Sequence, residues 1–331
     1  MRTHSLLSHV SACLIGCATS EPRRTGVLSG AETYARARAA SAEILIDGHL
    51  DASGWLASAD GLVVSAAHAF LKTKMAIEVR LADGERLPAR LIALDRGHDL
   101  ALLQIVATDR KFAHMAIASV MPAPGARMYL YGSAFYRHAV MVSGFMARAE
   151  PTYEYLANHS QYVRIYHVSA PSPPGTSGGC WINTAGEVVG VQSAFMNLKG
   201  SGGAGIASIG PVTAITRLIQ HRETRRVATL GCGLEELWAQ PAGYIKRYPQ
   251  GISGLAPVLP KKDGPADKAG LKGEMVIRRI DDKPVNTRNE LLDIIRTHKP
   301  GDSISLTVDL PDGKGQKRIT VQLGGLESRS P

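Results

Sequence analysis

Short apolar segments recur roughly every 8–14 residues between Ala42 and Ala147, and turn-favouring residues separate them. Connections this short join antiparallel neighbours, because parallel strands need a much longer crossover. The Asp60-Gly61 pair between two segments is a strong hairpin signal. Beyond residue 180 the pattern returns, with Trp181–Asn183 and Val188–Val191 on either side of a turn. The spacing predicts a mainly β domain made of two packed antiparallel barrels.

The length of 331 residues favours two domains over one. Three features mark the domain boundaries: a polar tether, a charged segment without periodicity, and a change in the pattern of predicted elements. The expected units are a leader and tether at residues 1–30, the β-barrel domain at 31–222, a linker at 223–227, a small α+β domain at 228–325 and a tail at 326–331.

The leader carries a modestly apolar stretch, Ser5–Gly16, which is too short to span a membrane. The run Leu14-Ile15-Gly16-Cys17 resembles a bacterial lipobox, in which the cysteine is lipidated after cleavage. Cys17 is therefore the lipidation candidate and a candidate membrane tether. A plain export signal and a cytoplasmic tail stay open as alternatives.

The net charge is +9, from 38 basic and 29 acidic residues, and the basic residues are scattered along the chain. General solvation explains this pattern, and attraction to an anionic envelope surface is the alternative. No basic and aromatic platform is visible, so nucleic acid is not an expected partner. The sequence has no HExxH motif and no paired CxxC, so neither a metal site nor any other cofactor is expected. Cys180 and Cys232 fall in different predicted domains, so no disulfide is expected.

One motif indicates a nucleophile. In the sequence Gly175-Thr176-Ser177-Gly178-Gly179, a serine lies among residues that permit a tight turn and close substrate approach. Such a turn can also aim backbone N–H groups at a developing oxyanion. Taken alone, the pentapeptide is better explained as a glycine-rich hairpin turn.

Two further residues complete a catalytic set. His68 follows an apolar strand and two alanines, and Asp99 opens the very apolar run Leu100–Leu103. A structural histidine and a strand-capping aspartate are the simpler explanations, with Asp95 and His98 as competing candidates. The combination matters more, because His, then Asp about 30 residues later, then a glycine-flanked Ser about 80 residues further on is the chain order of trypsin-like triads.

These motifs resemble the HtrA family of serine proteases. The resemblance rests on Ser53–Ala57 with Asp60–His68, on Leu94–Ile105, and on Pro174–Gly179 with Gly186–Val191. Thr176 stands where the family usually has Asn, and Cys180 where it usually has Pro. The resemblance covers about residues 40–325.

The resemblance implies a chymotrypsin-like double antiparallel β-barrel and a serine endopeptidase. His68, Asp99 and Ser177 would form the catalytic triad. The backbone of Gly175, Thr176 and Ser177 would form the oxyanion hole, and Gln192, Ser193, Ala194 and Phe195 would bind extended substrate. No acidic residue aligns with the specificity pocket, so a small or medium aliphatic side chain is the expected preference.

The second domain resembles a PDZ domain, through Thr229–Cys232, Asp263–Leu271 and Arg279–Val285. Such domains add a peptide strand to a sheet edge and bind its terminal carboxylate through backbone N–H groups. The loop Thr229, Leu230, Gly231 and Cys232 would bind this carboxylate. Thr287 and Glu290 form a capping-box pattern at the start of a predicted helix.

The family resemblance implies protein quality control or regulated proteolysis in a bacterial cell envelope, either in the periplasm or lipid-anchored. The expected partners are unfolded or partly folded polypeptides, C-terminal peptides at the PDZ domain, and two further copies of the chain in a trimer. Two alternatives stay open: a catalytically idle PDZ scaffold that binds peptides, and a lipid-tethered adhesion or structural protein. A cytoplasmic location stays open as well.

Overall fold

A computed structural model describes residues 26–72, 74–106, 109–156, 161–195, 205–258 and 260–326. Cys17, the leader up to residue 25 and the tail from residue 327 lie outside the described residues. Along the described stretches, no helix is both long and apolar enough to cross a membrane.

The first barrel consists of six antiparallel strands. They are β1 (Ser41–Ile46), β2 (His49–Leu56), β3 (Leu62–Ala66), β4 (Ile77–Leu81), β5 (Arg86–Asp95) and β6 (Leu100–Ile105). The strand order is β1-β2-β3-β6-β5-β4, and pairing between β1 and β4 closes the barrel. The barrel is filled by buried side chains such as Trp55, Val64 and Leu102, each fully excluded from solvent. Closure removes the exposed strand edges that an open sheet would present.

The helix α1 (Gly30–Ala39) precedes this barrel. Its N-terminus is stabilised by a capping box, in which Ser29 and Glu32 each accept from the other's backbone N–H. Thr33 and Ala37, one helical turn apart, form the buried face of the helix.

The second barrel has seven strands. They are β7 (Arg127–Gly132), β8 (Val140–Met146), β9 (Thr152–Leu156), β10 (Gln161–Ser169), β11 (Cys180–Asn183), β12 (Val188–Phe195) and β13 (Ile206–Pro211). Their order is β13-β12-β11-β7-β8-β10-β9, and an additional pairing between β13 and β10 closes the barrel. Strand β9 pairs with β10 alone, so the β9–β10 hairpin extends beyond the barrel.

The amphipathic helix α2 (Val212–His221) follows the second barrel, with Ala214, Ile215 and Leu218 buried. The chain between α2 and the next strand is held against the first barrel. The Arg225 N–H donates to Leu94 O over 2.9 Å, and the Thr224 hydroxyl accepts from the Leu94 N–H over 3.2 Å.

The second domain contains a six-stranded antiparallel sheet, a separate two-stranded pairing and short helices. Its strands are β14 (Ala228–Thr229), β15 (Gly233–Glu236), β16 (Leu255–Val258), β17 (Val276–Ile280), β18 (Lys283–Pro284), β19 (Ser303–Asp309), β20 (Gln316–Gln322) and β21 (Gly324–Gly325). Its helices are α3 (Ala242–Ile245), α4 (Pro265–Lys268) and α5 (Arg288–Ile295). The sheet order is β15-β16-β17-β19-β20, so β15 is an edge strand, while β18 pairs with β17 and β14 with β21. The predicted capping box is confirmed, because Thr287 and Glu290 each accept from the other's backbone N–H.

The fold class predicted from the sequence, a double antiparallel barrel followed by a small α+β domain, is confirmed. The numerical domain boundaries stay predictions. The β9–β10 hairpin was not anticipated, and it carries the main contact between the domains.

Candidate active site

His68 lies where the first barrel ends. The five residues of β3 are all buried, and Ala67 begins a short 3₁₀ helix that contains His68. Because Ala66 and Ala67 are fully buried, their methyl groups let the chain turn close to the barrel. The His68 side chain is left 23% exposed at the barrel surface.

Asp99 is fully buried and faces His68. Its carboxylate accepts the His68 backbone N–H over 2.8 Å and lies 2.7 Å from His68 Nδ1. The Ser193 hydroxyl donates to the same carboxylate over 2.5 Å. Asp99 adopts φ 57°, a left-handed conformation that Asp tolerates better than most residues. Binding through Nδ1 fixes the imidazole tautomer and leaves Nε2 as its basic nitrogen.

The charges of this pair are mutually stabilised. Burial by itself would lower the pKa of His68, but the Asp99 carboxylate, its hydrogen bond and the nearby Asp51 carboxylate outweigh burial and raise that pKa above its ordinary value. For Asp99, burial by itself would raise the pKa, but His68 and the Ser193 hydroxyl outweigh burial and lower it. Asp99 therefore stays ionised when His68 gains a proton.

Ser177 is half-buried in a tight turn at the start of the segment that leads to β11. The Gly179 N–H donates to Thr176 O over 2.8 Å, which closes this turn around Ser177 and Gly178. A Cβ at Gly178 would overlap Ser53 O and the Ser65 hydroxyl, so only glycine fits there. This close packing sets the Ser177 turn directly against β3, the strand that leads to His68.

The preceding turn, Pro173–Thr176, sets the directions of the neighbouring peptide groups. The Thr176 N–H donates to Pro173 O over 3.3 Å, with Pro174 and Gly175 at the two central positions. Gly175 has φ 88°, so this is a type II turn. Because the Thr176 N–H serves the turn itself, the N–H groups of Gly175 and Ser177 remain as the candidates for an oxyanion hole.

Asp95 and His98, the competing candidates, pair with each other and not with His68. His98 Nδ1 lies 2.9 Å from the Asp95 carboxylate, which also binds Arg217 over 2.5 Å. Arg225 lies 3.9 Å from the same carboxylate. It belongs to the interdomain segment, which is the chain between α2 and β14.

The predicted substrate-binding segment forms the end of β12. Gln192 and Ser193 are buried, and both side chains are used inside the protein. The Trp181 indole N–H donates to the Gln192 side chain over 2.9 Å, and the Gln192 amide donates to Ala194 O over 2.7 Å. Substrate pairing along this segment would therefore have to use backbone groups. The Phe195 side chain lies outside what the structure describes.

The predicted carboxylate loop of the second domain, Thr229–Cys232, has the expected tight bend. Gly231 has φ 73°, and its N–H donates to the Thr229 hydroxyl over 3.2 Å. Leu230 and Cys232 are buried beneath the loop. Cys232 and Cys180 are free thiols, and burial raises the pKa of each to about 12.

The groove beside this loop is covered by the β9–β10 hairpin. The Tyr162 hydroxyl accepts from the Leu234 N–H over 2.6 Å and donates to Leu234 O over 3.2 Å. These are backbone groups of β15, the edge strand. On α5, the opposite wall of the groove, Asn289 accepts from the Tyr153 N–H over 3.2 Å, and Asp293 accepts from the Tyr153 hydroxyl over 2.8 Å.

Sequence reasoning missed several residues around the site, namely Asp51, Ser53, Ser193 in its contact with Asp99, and the hairpin tyrosines. Serine and tyrosine are common residue types, and nothing along the chain marks their partners. The alternation in Gln161–Ser169 could have revealed β10, but not what its tyrosines touch. Across the described parts of the chain, no group of three or more His, Cys, Asp and Glu side chains could hold a metal ion.

Comparison with known proteins finds a different domain family in each part of the chain. The model of the trypsin-like peptidase domain matches residues 52–191, and the model of the PDZ domain matches residues 243–323.

Two curated relatives each align with most of this chain. "Serine protease HTRA1" of Xenopus tropicalis is 27% identical over 288 residues, which covers 81% of this chain and 60% of the relative. "Probable periplasmic serine endoprotease DegP-like" of Brucella suis biovar 1 is 29% identical over 275 residues, which covers 81% of this chain and 52% of the relative. This chain thus spans 60% and 52% of the lengths of these two relatives.

Solved structures share the fold. "HtrA-type protease AlgW with decapeptide" has a TM-score of 0.62 at 20% identity, covering 92% of this chain and 100% of that chain. A serine endoprotease from Yersinia pestis has a TM-score of 0.59 at 20% identity, covering 91% of this chain and 100% of that chain.

Proposed function

We propose that this chain, a member of the HtrA-like trypsin-type peptidases that carry one C-terminal PDZ domain, hydrolyses peptide bonds as a serine endopeptidase. The observation that carries the proposal is the buried Asp99 carboxylate, which binds both the backbone and Nδ1 of His68 beside the glycine-flanked turn of Ser177. A structural histidine on a barrel surface does not need a fully desolvated carboxylate to fix its tautomer.

In the proposed reaction, Ser177 Oγ attacks the carbonyl carbon of the scissile peptide bond. His68 Nε2 takes the hydroxyl proton and then donates it to the leaving amine. Asp99 orients the imidazole and stabilises the imidazolium. The acyl-enzyme ester is then hydrolysed by water in the same way, with His68 again serving as base.

The N–H groups of Gly175 and Ser177 are proposed to stabilise the oxyanion. Each donor of this kind is typically worth about 3–4 kcal/mol of barrier. The backbone of residues 193–195 would pair with the extended substrate, because the side chains of Gln192 and Ser193 are already used internally. Small or medium aliphatic side chains are the proposed preference at the cleavage site.

The second domain is proposed to bind polypeptides that end in a free carboxylate. Its edge strand β15 and the helix α5 form the walls of the groove, and an added strand would need the N–H and C=O groups of the β15 edge. The Tyr162 hydroxyl bonds both of these groups on Leu234. A peptide that pairs at Leu234 must therefore displace the hairpin.

The natural substrates are proposed to be unfolded or partly folded polypeptides in a bacterial envelope. The name of the Brucella suis relative includes a periplasmic location, which supports this assignment. Tethering through Cys17 and assembly into a trimer are further proposals. They rest on the lipobox-like run in the leader and on family resemblance.

Casein degradation by the wild-type chain and by Ser177→Ala tests the proposed function. The wild type should degrade casein and react with a fluorophosphonate probe at Ser177, and the variant should do neither. A wild type that binds C-terminal peptides but neither cleaves casein nor reacts with the probe would instead be an idle peptide-binding scaffold.

A further inference from the structure

Ser53 contacts both residues that would supply the oxyanion hole, although it belongs to the other barrel. Its N–H donates to Ser177 O over 2.8 Å, and its hydroxyl donates to Gly175 O over 2.7 Å. The same hydroxyl accepts the Ser133 N–H over 2.8 Å. Ser53 is 1% exposed, so these bonds are shielded from competition by water.

These bonds matter because the turn Pro173–Thr176, called the oxyanion turn below, can adopt more than one backbone arrangement. Type I and type II turns differ by a rotation of the central peptide group, and Gly175, which lacks a Cβ, can occupy either. Since the C=O and N–H groups of a trans peptide point in opposite directions, this rotation would replace the Gly175 N–H with the Pro174 carbonyl. The turn must therefore be held in place to remain competent.

Two bonds hold the peptide groups on either side of Gly175. The Phe135 N–H donates to Pro174 O over 2.6 Å, which fixes the direction of the Gly175 N–H. On the other side, Ser53 holds Gly175 O. Ser133 bonds to Ser53 and lies two residues before Phe135, so the two constraints meet at Ser133.

Ser133 is in turn anchored on a buried carboxylate. Its hydroxyl donates to Glu43 over 2.6 Å, and Glu43 is only 8% exposed. Arg80 donates to the other oxygen of Glu43 over 2.8 Å, and His138 Nδ1 lies 2.6 Å from the first. Glu43 and Ser53 are direct cross-strand partners in β1 and β2, so both side chains project from one face of the sheet.

The segment after Ser133 needs such an anchor. Phe135, Tyr136 and Ala139 all have left-handed backbone, with φ 53°, 57° and 58°. Non-glycine residues keep this conformation only where surrounding contacts enforce it. Although burial would raise the pKa of Glu43, the bonds from Ser133, His138 and Arg80 outweigh burial and lower it, so the anchor is ionised at neutral pH.

We propose that Ser53, Ser133 and Glu43 are positioning residues that hold the oxyanion turn in its competent arrangement. This inference rests on the proposed function. None of the three touches the substrate: Ser53 holds Gly175, Ser133 orients Ser53, and Glu43 fixes Ser133.

The test compares Ser53→Ala and Ser133→Ala with wild type in hydrolysis of a small chromogenic peptide substrate. We expect kcat to fall about 10- to 100-fold with KM changed less than about threefold, since loss of a single oxyanion donor costs 10²–10³ in kcat. The Ki of a peptide trifluoromethyl ketone, which forms an oxyanion on Ser177, should rise in proportion to the loss in kcat/KM. Glu43→Gln, which keeps an acceptor for Ser133, should retain more activity than Glu43→Ala.

Thr33→Val is the matched control. It also removes a buried hydroxyl that donates to a backbone carbonyl, Ser29 O over 3.0 Å, but it lies on α1 away from the turn. It should lower Tm comparably and leave kcat and Ki unchanged. A wild type that cleaves nothing overturns the proposed function and this inference with it. An active wild type together with Ser53→Ala and Ser133→Ala variants of unchanged kcat and Ki overturns this inference alone. Should Ser53→Ala not fold, Ser133→Ala decides by the same criteria.

Discussion

Removal of one hydroxyl group, in Tyr162→Phe, should increase the affinity of the second domain for peptides. The hydroxyl makes two hydrogen bonds to Leu234, as acceptor over 2.6 Å and as donor over 3.2 Å. Phenylalanine keeps the ring, which packs against Tyr155 with a centroid distance of 4.9 Å. The substitution therefore weakens the hydrogen bonds that cover the edge of β15 and leaves the apolar contacts of the hairpin in place.

The size of the effect follows from these two bonds. In the covered arrangement the hairpin is bonded to β15, and in the open arrangement it is released. Each intramolecular hydrogen bond contributes about 1 kcal/mol net, so the covered arrangement should lose about 2 kcal/mol of stability relative to the open one. This corresponds to about a 30-fold shift in their ratio. As long as the covered arrangement dominates, the apparent Kd falls by the same factor, because it equals the intrinsic Kd divided by the open fraction.

Isothermal titration calorimetry measures this on the full chain, with Ser177→Ala as background so that no ligand is cleaved. The ligand is a peptide with an apolar C-terminal residue, used with a free and with an amidated terminus. Tyr166→Phe is the matched control, because Tyr166 lies on the same strand but is partly buried against the core of the second barrel. Its Kd should equal that of the background.

Two outcomes would contradict the reasoning. A Kd that is equal in Tyr162→Phe and in the control would mean that the hairpin does not compete with peptide. Equal affinity for the amidated peptide would mean that the Thr229–Cys232 loop does not recognise a carboxylate. Gly231→Val cannot serve in place of amidation, because Gly231 has φ 73° and a Cβ there would lie 2.9 Å from Pro265.

Three further predictions concern the catalytic residues. Ser177→Ala should abolish hydrolysis with Tm unchanged, and His68→Ala should be nearly as damaging, because triad members act as a unit; substantial activity in either variant would refute the mechanism. Asp99→Asn should lower kcat about 10⁴-fold through the wrong imidazole tautomer, whereas Asp95→Asn should mainly lower Tm; steady-state kinetics and thermal melts would expose the reverse ranking. Since the base must be neutral and the pKa of His68 is raised above 6.5, kcat/KM should fall as the pH drops through that raised value. Asp51→Asn should move this acid limb to lower pH, and a pH–rate profile that does not move would contradict the role given to that carboxylate.

The sequence predicted the barrels well because each strand of a barrel has its own apolar pattern and its own turns. The buried run Leu62–Ala66 and the capping box at Thr287 are local features, decided by residues within a few positions of one another. The β9–β10 hairpin was missed for the opposite reason. The side chains of Tyr153 and Tyr162 are buried by the second domain, so the sequence of the hairpin alone does not indicate what covers them.

The candidate site divides in the same way. His68, Asp99 and Ser177 could be identified from the sequence because few chains have a His, an Asp and a glycine-flanked Ser in this order and at this spacing. Ser53 and Glu43 are ordinary residues whose importance depends on partners about 90–120 positions away. Only the packing of one barrel against the other brings them to the oxyanion turn.

Asp95 was a competing candidate for the triad. Its partners His98, Arg217 and Arg225 instead give it a structural role as the buried centre of a charge cluster. Burial would raise the pKa of Asp95, but His98, Arg225 and Arg217 outweigh burial and lower that pKa far below its ordinary range. Loss of a charged partner is unfavourable for such a buried carboxylate, although solvent screens Arg225, which is 35% exposed and 3.9 Å away. Since Arg225 belongs to the segment between the domains, this cost opposes separation of that segment from the first barrel.

The turn that carries Asp99 is therefore attached to the second domain at two points. One is the Asp95 cluster, which holds the interdomain segment. The other is the hairpin, where the Arg164 N–H donates to Gly97 O over 2.8 Å while Tyr162, two residues earlier, bonds β15. A peptide entering the groove would release the hairpin from β15 but leave the interdomain segment in place. Peptide binding should therefore shift Gly97, and through it Asp99, so that its effect on catalysis appears in kcat. If the second domain only concentrated the substrate, peptide binding would change KM alone.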